Sequence, residues 1–91
     1  MADAASTGNV YFVRASEEVK TLSYTPSNEN MLELYGLFKQ GILGDNETDA
    51  PGVFSLTAKA KWNAWKEKAG MSQVEAQAQY IALVEKLKAA Q

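Results

Sequence analysis

The chain contains neither cysteine nor histidine among its 91 residues. Without thiols there is no structural disulfide and no thiolate metal ligand. Without imidazole there is no Ser-His or Cys-His nucleophilic dyad and no histidine acid/base chemistry. A chain free of cysteine fits a cytosolic location. Long hydrophobic runs are also missing: no apolar stretch approaches the roughly 18 residues that a membrane span needs, so a soluble chain is expected. The opening MADAASTG has no basic residue and no apolar run, which speaks against a signal peptide. Residues 1–11 are therefore expected to be a flexible N-terminal tail, and residues 12–91 the domain. No internal repeat is present, and no low-complexity segment follows the tail. What is present is a 46% apolar fraction with a net charge of −2, the composition of one small globular domain with its own core.

The apolar residues recur at helical spacing in four places, and sustained strand-like alternation is absent. Phe12, Ala15, Val19 and Leu22 form the first stripe. Pro26 cannot continue a helix, and Ser27 or Asn28 can cap the next. The second stripe runs Met31, Leu34, Tyr35, Phe38 and Ile42 and stops near Gly44. GDNETDAPG then makes a polar connection with Pro51-Gly52 as turn punctuation. Its length exceeds that usual between antiparallel neighbours, so a crossover between parallel helices is open. The third stripe is Ala58, Trp62, Trp65 and Ala69, with Gly70 as C-cap. Ser72 and Glu75 form a capping box for the fourth, which turns Tyr80, Leu83, Val84 and Leu87 inward. The expected fold is all-α with four helices.

The third stripe lies in AKAKWNAWKEKAG, a short stretch with four lysines: Lys59, Lys61, Lys66 and Lys68. At about 100° per residue, Lys61 sits beside the Trp65 edge of the apolar face. Lys39 is placed similarly on the second helix, one turn after Tyr35 and flanked by Leu32 and Leu43. Two readings are open for these two lysines. Their stems cover apolar surface while the ammonium groups snorkel to water, or the pair waits for a negatively charged ligand.

Other signals fail on their chemistry. Asp45, Glu47 and Asp49 imitate the start of a calcium loop, but Ala50 replaces the required glycine and Leu56 the bidentate glutamate, leaving a solvated acidic loop. Gly36 and Gly41 have phosphate-loop spacing, but Ile42 and Leu43 follow where Lys and Ser/Thr are needed. Asn46-Glu47-Thr48 is a formal glycosylation sequon, relevant only to a secreted chain. Four lysines in a chain of pI about 5.0 make a poor surface for tracking nucleic acid. Glu17 and Glu18 point apart on a helix and make no acid/base pair. No catalytic site and no metal site is visible.

Three motifs in order carry a family resemblance. Tyr35-Gly-Leu-Phe38-Lys39-Gln40 leads to Gly44-Asp45 and Pro51-Gly52. Lys59-Ala-Lys61-Trp62-Asn-Ala-Trp65 follows, and then Tyr80-Ile-Ala-Leu-Val-Glu85. Together with SEEVKTL, Ser16 to Leu22, they make residues 12–88 resemble the acyl-CoA-binding protein family. The resemblance implies an up-down-down-up four-helix bundle and a cytoplasmic, monomeric carrier of medium- to long-chain fatty acyl-CoA thioesters. It implies no enzyme activity, no cofactor, no nucleic-acid partner and no stable membrane insertion. By the resemblance, Tyr35 and Tyr80 hold the adenine and its neighbourhood, Lys39 and Lys61 meet the 3′-phosphate, and Lys20 is a secondary polar contact. Phe38 belongs to the same site, and Met31 and Leu32 would line the acyl groove. A helical protein-interaction module that keeps the fold without tight ligand binding is the alternative. Phe38 stands where the family commonly has tyrosine, Thr57 where it has lysine, and Ala58 where it has glycine. The segment before Phe12 is several residues longer than the family's usual start.

Overall fold

A computed structural model describes residues 3–91. Four helices, α1 (Val10–Glu18), α2 (Asn28–Leu43), α3 (Leu56–Lys66) and α4 (Gln73–Ala89), are joined by loops. A 3-10 turn, Ala4–Thr7, precedes α1, and a second, Val19–Thr21, extends it. The N-termini carry the expected cap chemistry. Ser27 accepts from the Asn30 N–H at the start of α2, and Ser72 from the Glu75 N–H at the start of α4. The Glu75 carboxylate does not return to Ser72 but accepts from Gln79 Nε2, one turn along.

Cross-helix contacts fix the directions. Asn9 meets Gln77, Phe12 meets Tyr80 and Glu18 pairs with Lys88, so α1 and α4 run parallel. Ile42 meets Gln73 and Phe38 meets Tyr80, so α2 runs against α4. Tyr35 meets Lys61 and Lys39 meets Trp65, so α3 runs with α2. The order is up-down-down-up, and the long connection after α2 is the parallel crossover.

The core lies between α1, α2 and α4. Phe12, Leu37 and Val84 are almost fully buried, each contributing about 1.5–3 kcal/mol by its burial. Phe12, Phe38 and Tyr80 form an aromatic triangle with centroids 5.2–5.6 Å apart. Two glycines set how closely α2 approaches its neighbours. A Cβ at Gly36 would stand 2.5 Å from the Ala64 carbonyl oxygen on α3. One at Gly41 would stand 3.1 Å from the Gln77 side chain on α4. The spacing that imitates a phosphate loop therefore marks two helix crossings.

Several expectations need correction. The tail expected over residues 1–11 gives way to structure well before Phe12: α1 begins at Val10, and Ala4 is 5% exposed, packed in the core. Asn9 caps α1 and also donates from Nδ2 to Gln77 Oε1, which ties the segment to α4. Residues 1–2 of that tail lie outside the described residues. α3 stops at Lys66, so Ala69 lies past its end and is exposed, as is Ala58, while Ala64 and Trp65 face α2. Gly70, expected to cap α3, instead sits in the following turn with φ of 90°. On α2, Met31 and Tyr35 leave the core to Leu37, Gly36 and Gly41. Among the described residues, no helix is long and apolar enough to cross a membrane.

Candidate functional site

A cavity of about 500 Å³ opens between α2 and the segment that precedes it, α1 included, within the range of small-molecule sites. Val13, Ser16 and Lys20 supply one side, at positions separated by one helical turn each, with Val19 beside them. Met31, Leu34, Tyr35 and Phe38 supply the facing side from α2, and Tyr80 comes from α4. The walls are mostly apolar. Tyr80 is 4% exposed, and burial pushes its phenol up to about 12, so it stays a neutral hydrogen-bonding group throughout the physiological range.

Tyr35 is shared with a second, smaller pocket of about 310 Å³ between α2, α3 and the crossover. Lys39, Lys61, Trp62 and Trp65 line it, together with Asp49 and Pro51. The two lysines are crossed over the aromatic rings. Lys39 Nζ lies 5.1 Å from the Trp65 ring centroid, and Lys61 Nζ lies 5.6 Å from that of Tyr35. Each cation thus rests on a ring carried by the opposite helix, an interaction of about 0.5–1 kcal/mol at exposed sites. Among the described residues, neither makes a salt bridge. Two other lysines of the run have oxygen partners: Lys66 Nζ donates to the Asn46 carbonyl, besides lying 5.8 Å from the Trp62 ring centroid, and Lys68 pairs with Glu33 at 2.7 Å. Two ammonium groups from two helices, beside flat aromatic faces, suit a phosphate attached to a planar ring system.

The crossover holds this pocket in shape. Asp45 Oδ1 accepts from Gln40 Nε2 at 2.8 Å and from the Gly70 N–H at 3.0 Å. These bonds, the Gln40 one foremost, hold its carboxyl below the usual range. Asn46 is 1% exposed, accepts from Thr48 and donates to the Trp62 carbonyl. Trp62 Nε1 donates to Thr48, and Trp65 Nε1 to the Gly44 carbonyl at 2.8 Å. Asp45, Glu47 and Asp49 are exposed, as expected of a solvated acidic loop, while the loop's inward bonds through Gly44 and Thr48 orient both indoles.

The expected site residues fall into three places. Lys20, Met31, Tyr35, Phe38 and Tyr80 meet at the large cavity, and Lys39 and Lys61 meet at the small one, with Tyr35 common to both. Leu32 joins neither. It lies in a separate groove with Glu29, Glu33 and Ala60. The reason is angular: Leu32 is one turn before Gly36, the residue pressed against α3, while Met31 follows the face of Tyr35 and Phe38. The helical period alone could have found Val13 and Ser16. Asp3, Ala4 and Ala5, which also line the large cavity, carry no periodic signal.

Comparison with known proteins agrees with this geometry. The sequence profile of a family described as "Acyl CoA binding protein" matches residues 10–84. "Acyl-CoA-binding protein homolog 1" of Caenorhabditis elegans is 57% identical over 76 residues, covering 84% of this chain and 88% of that protein. The "Acyl-CoA-binding protein homolog" of Drosophila melanogaster is 49% identical over the same length, covering 84% and 88%. Among solved structures, Oryza sativa Acyl-CoA-Binding Protein 2 superposes with a TM-score of 0.85 at 45% identity, covering 88% of this chain and 87% of that one. The acyl coenzyme A binding protein from yeast gives 0.69 at 42% identity, covering 87% and 92%. With more than four-fifths of its length matched by the profile and with helices, crossover and pockets in place, the chain belongs to the acyl-CoA-binding protein family.

Proposed function

We propose that the protein binds medium- to long-chain fatty acyl-CoA thioesters non-covalently and acts as their carrier and pool former. One observation carries this reading: an apolar cavity and a two-lysine pocket meet at a single tyrosine, Tyr35. An acyl-CoA has the matching chemistry, an apolar chain at one end and a phosphorylated nucleotide at the other. Lys39 and Lys61 take the 3′-phosphate in charge-assisted hydrogen bonds. Tyr35 and Tyr80 hold the adenine and its neighbourhood, where an aromatic stacking contact contributes about 1–3 kcal/mol per base. Lys20, at the cavity rim, is a secondary polar contact. Phe38 and Met31 face the ligand from α2, and the acyl chain lies in the large cavity.

The protein is a carrier and not an enzyme, as its family membership supports. Its working form is a monomer that holds one ligand per chain. Its compartment is the cytoplasm, a reading supported by the absence of cysteine.

Titration calorimetry with a long-chain acyl-CoA tests the function. Saturation by one ligand per chain, without release of free thiol, is the expected outcome. Absence of saturable binding would replace the carrier with a helical interaction module, and thiol release would make the protein a thioesterase.

A further inference from the structure

The large cavity has a wall that lies outside the family match. Asp3, Ala4 and Ala5 line it with Phe38 and Tyr80, whereas the match begins at residue 10. The segment is held by its own bonds. The Ser6 N–H donates to Asp3 Oδ1 at 3.3 Å, and Ser6 Oγ donates to the Asp3 carbonyl at 2.6 Å. Thr7 Oγ1 donates to the Ala4 carbonyl at 2.7 Å and accepts from the Asn9 N–H at 3.1 Å. Gly8, with φ of 73°, supplies the left-handed residue that closes the turn. The segment is also fastened from outside: Ala4 packs in one cluster with Phe12, Leu34 and Tyr80, and Asn9 reaches α4 through Gln77. The turn touches both α1 and α2, so it bridges the two sides of the cavity.

We infer that the turn Ala4–Thr7 is a chain-length stop that limits how many acyl methylenes the cavity covers. The inference rests on the carrier reading and adds a specificity element to it. Alanines suit the role. They present methyl groups to the ligand and lose no rotamer freedom, while the turn satisfies its own polar groups. An acyl chain that reaches Ala4 and Ala5 must displace a packed, capped turn or leave its further methylenes in water. Each methylene up to the wall adds burial, and those past it add none.

The test compares the full chain, a chain lacking residues 2–8, and Ala5→Phe. Each is titrated with saturated acyl-CoAs of increasing even chain length after thermal melting has checked folding. For the full chain, affinity should rise by up to about fourfold per methylene and then level. The shortened chain keeps the Asn9 cap and should level at least two methylenes later. Ala5→Phe, at an exposed position on the cavity edge, should level earlier, and it decides the matter alone if the shortened chain does not fold. The same levelling point in every folded variant overturns the chain-length stop and leaves the carrier standing. Failure of the full chain to bind any acyl-CoA overturns both.

Discussion

The two pockets on either side of Tyr35 are built by opposite means. The large cavity is a gap left in hydrophobic packing: α1, α2 and α4 press Phe12, Leu37 and Val84 together, and Phe38 and Tyr80 turn their remaining surface into the opening. The cationic pocket owes little to apolar burial. α3 reaches the body through Ala64 and Trp65, and the crossover bonds set its position. A cavity supported by a core should keep its shape under most single substitutions. A pocket that depends on one close helix crossing and a bonded loop should not. Affinity should therefore be the sensitive quantity on the α2–α3 side, and stability the sensitive one on the side of α1 and α4.

The largest effect should come from the lysines. Lys39→Ala and Lys61→Ala are each expected to weaken acyl-CoA binding by about 1.5–3 kcal/mol, the size of a charged hydrogen bond. Melting should hardly change, because each ammonium group only rests on a ring face. Calorimetric affinity set beside thermal melting checks both parts; unchanged affinity with a collapsed melting temperature would make the lysines structural.

Gly36→Ala comes next. Its Cβ would press on the Ala64 carbonyl, so α3 must move outward at a cost of about 1–3 kcal/mol in stability. The displacement separates Lys39 from Lys61, and binding should weaken mainly for ligands that carry the 3′-phosphate. Denaturant unfolding and titration with phosphorylated and dephosphorylated thioesters would read the two consequences.

Phe38→Tyr probes the opposite side. Phe38 is half-buried on the cavity wall beside Phe12 and Tyr80. A hydroxyl that reaches the ligand should tighten binding by about 0.5–1.5 kcal/mol. A fall in melting temperature without a gain in affinity would mean that the hydroxyl points into the aromatic triangle.

The smallest effect concerns Asp45 and acid. Its folded carboxyl titrates below the ordinary 3.8 because Gln40 and the Gly70 N–H bond its charged form. A depressed carboxylate contributes stability above its unfolded pKa and loses it as pH falls through the folded value. Asp45→Ala should therefore lower the melting temperature at neutral pH. The difference from the parent chain should shrink as pH falls below 3.8. Parallel melting curves at all pH values would contradict the assigned cause.

The same contrast explains what could be read from the sequence. Four helices, the parallel crossover and the residues around Tyr35 follow from a period of about 3.6, from caps and from the family resemblance. The period places residues on a helix face, but it does not say which neighbour that face meets. Lys39 was legible beside Tyr35 and Lys61 beside Trp65, yet the rings beneath them are exchanged because the two helices stand face to face. Leu32 went to the wrong groove for a similar reason: the approach set by Gly36 directs that edge toward α3. The inward bonds of Asp45 and Asn46 could not be read because their partners, Gly70 and Trp62, are far away in sequence. The N-terminal turn was missed because four small residues and a glycine have no amphipathic pattern, although they close a wall.

The central claim is that the two lysines recognise a phosphate while the apolar cavity recognises the chain. The most direct measurement is calorimetric titration with one long-chain acyl-CoA and its 3′-dephospho counterpart at two ionic strengths. The intact thioester should bind more tightly and lose affinity as salt rises, since exposed charges are screened over about 10 Å at 0.1 M salt. The dephospho thioester should bind more weakly and respond little to salt. Equal affinities with equal salt responses would contradict the assignment of Lys39 and Lys61.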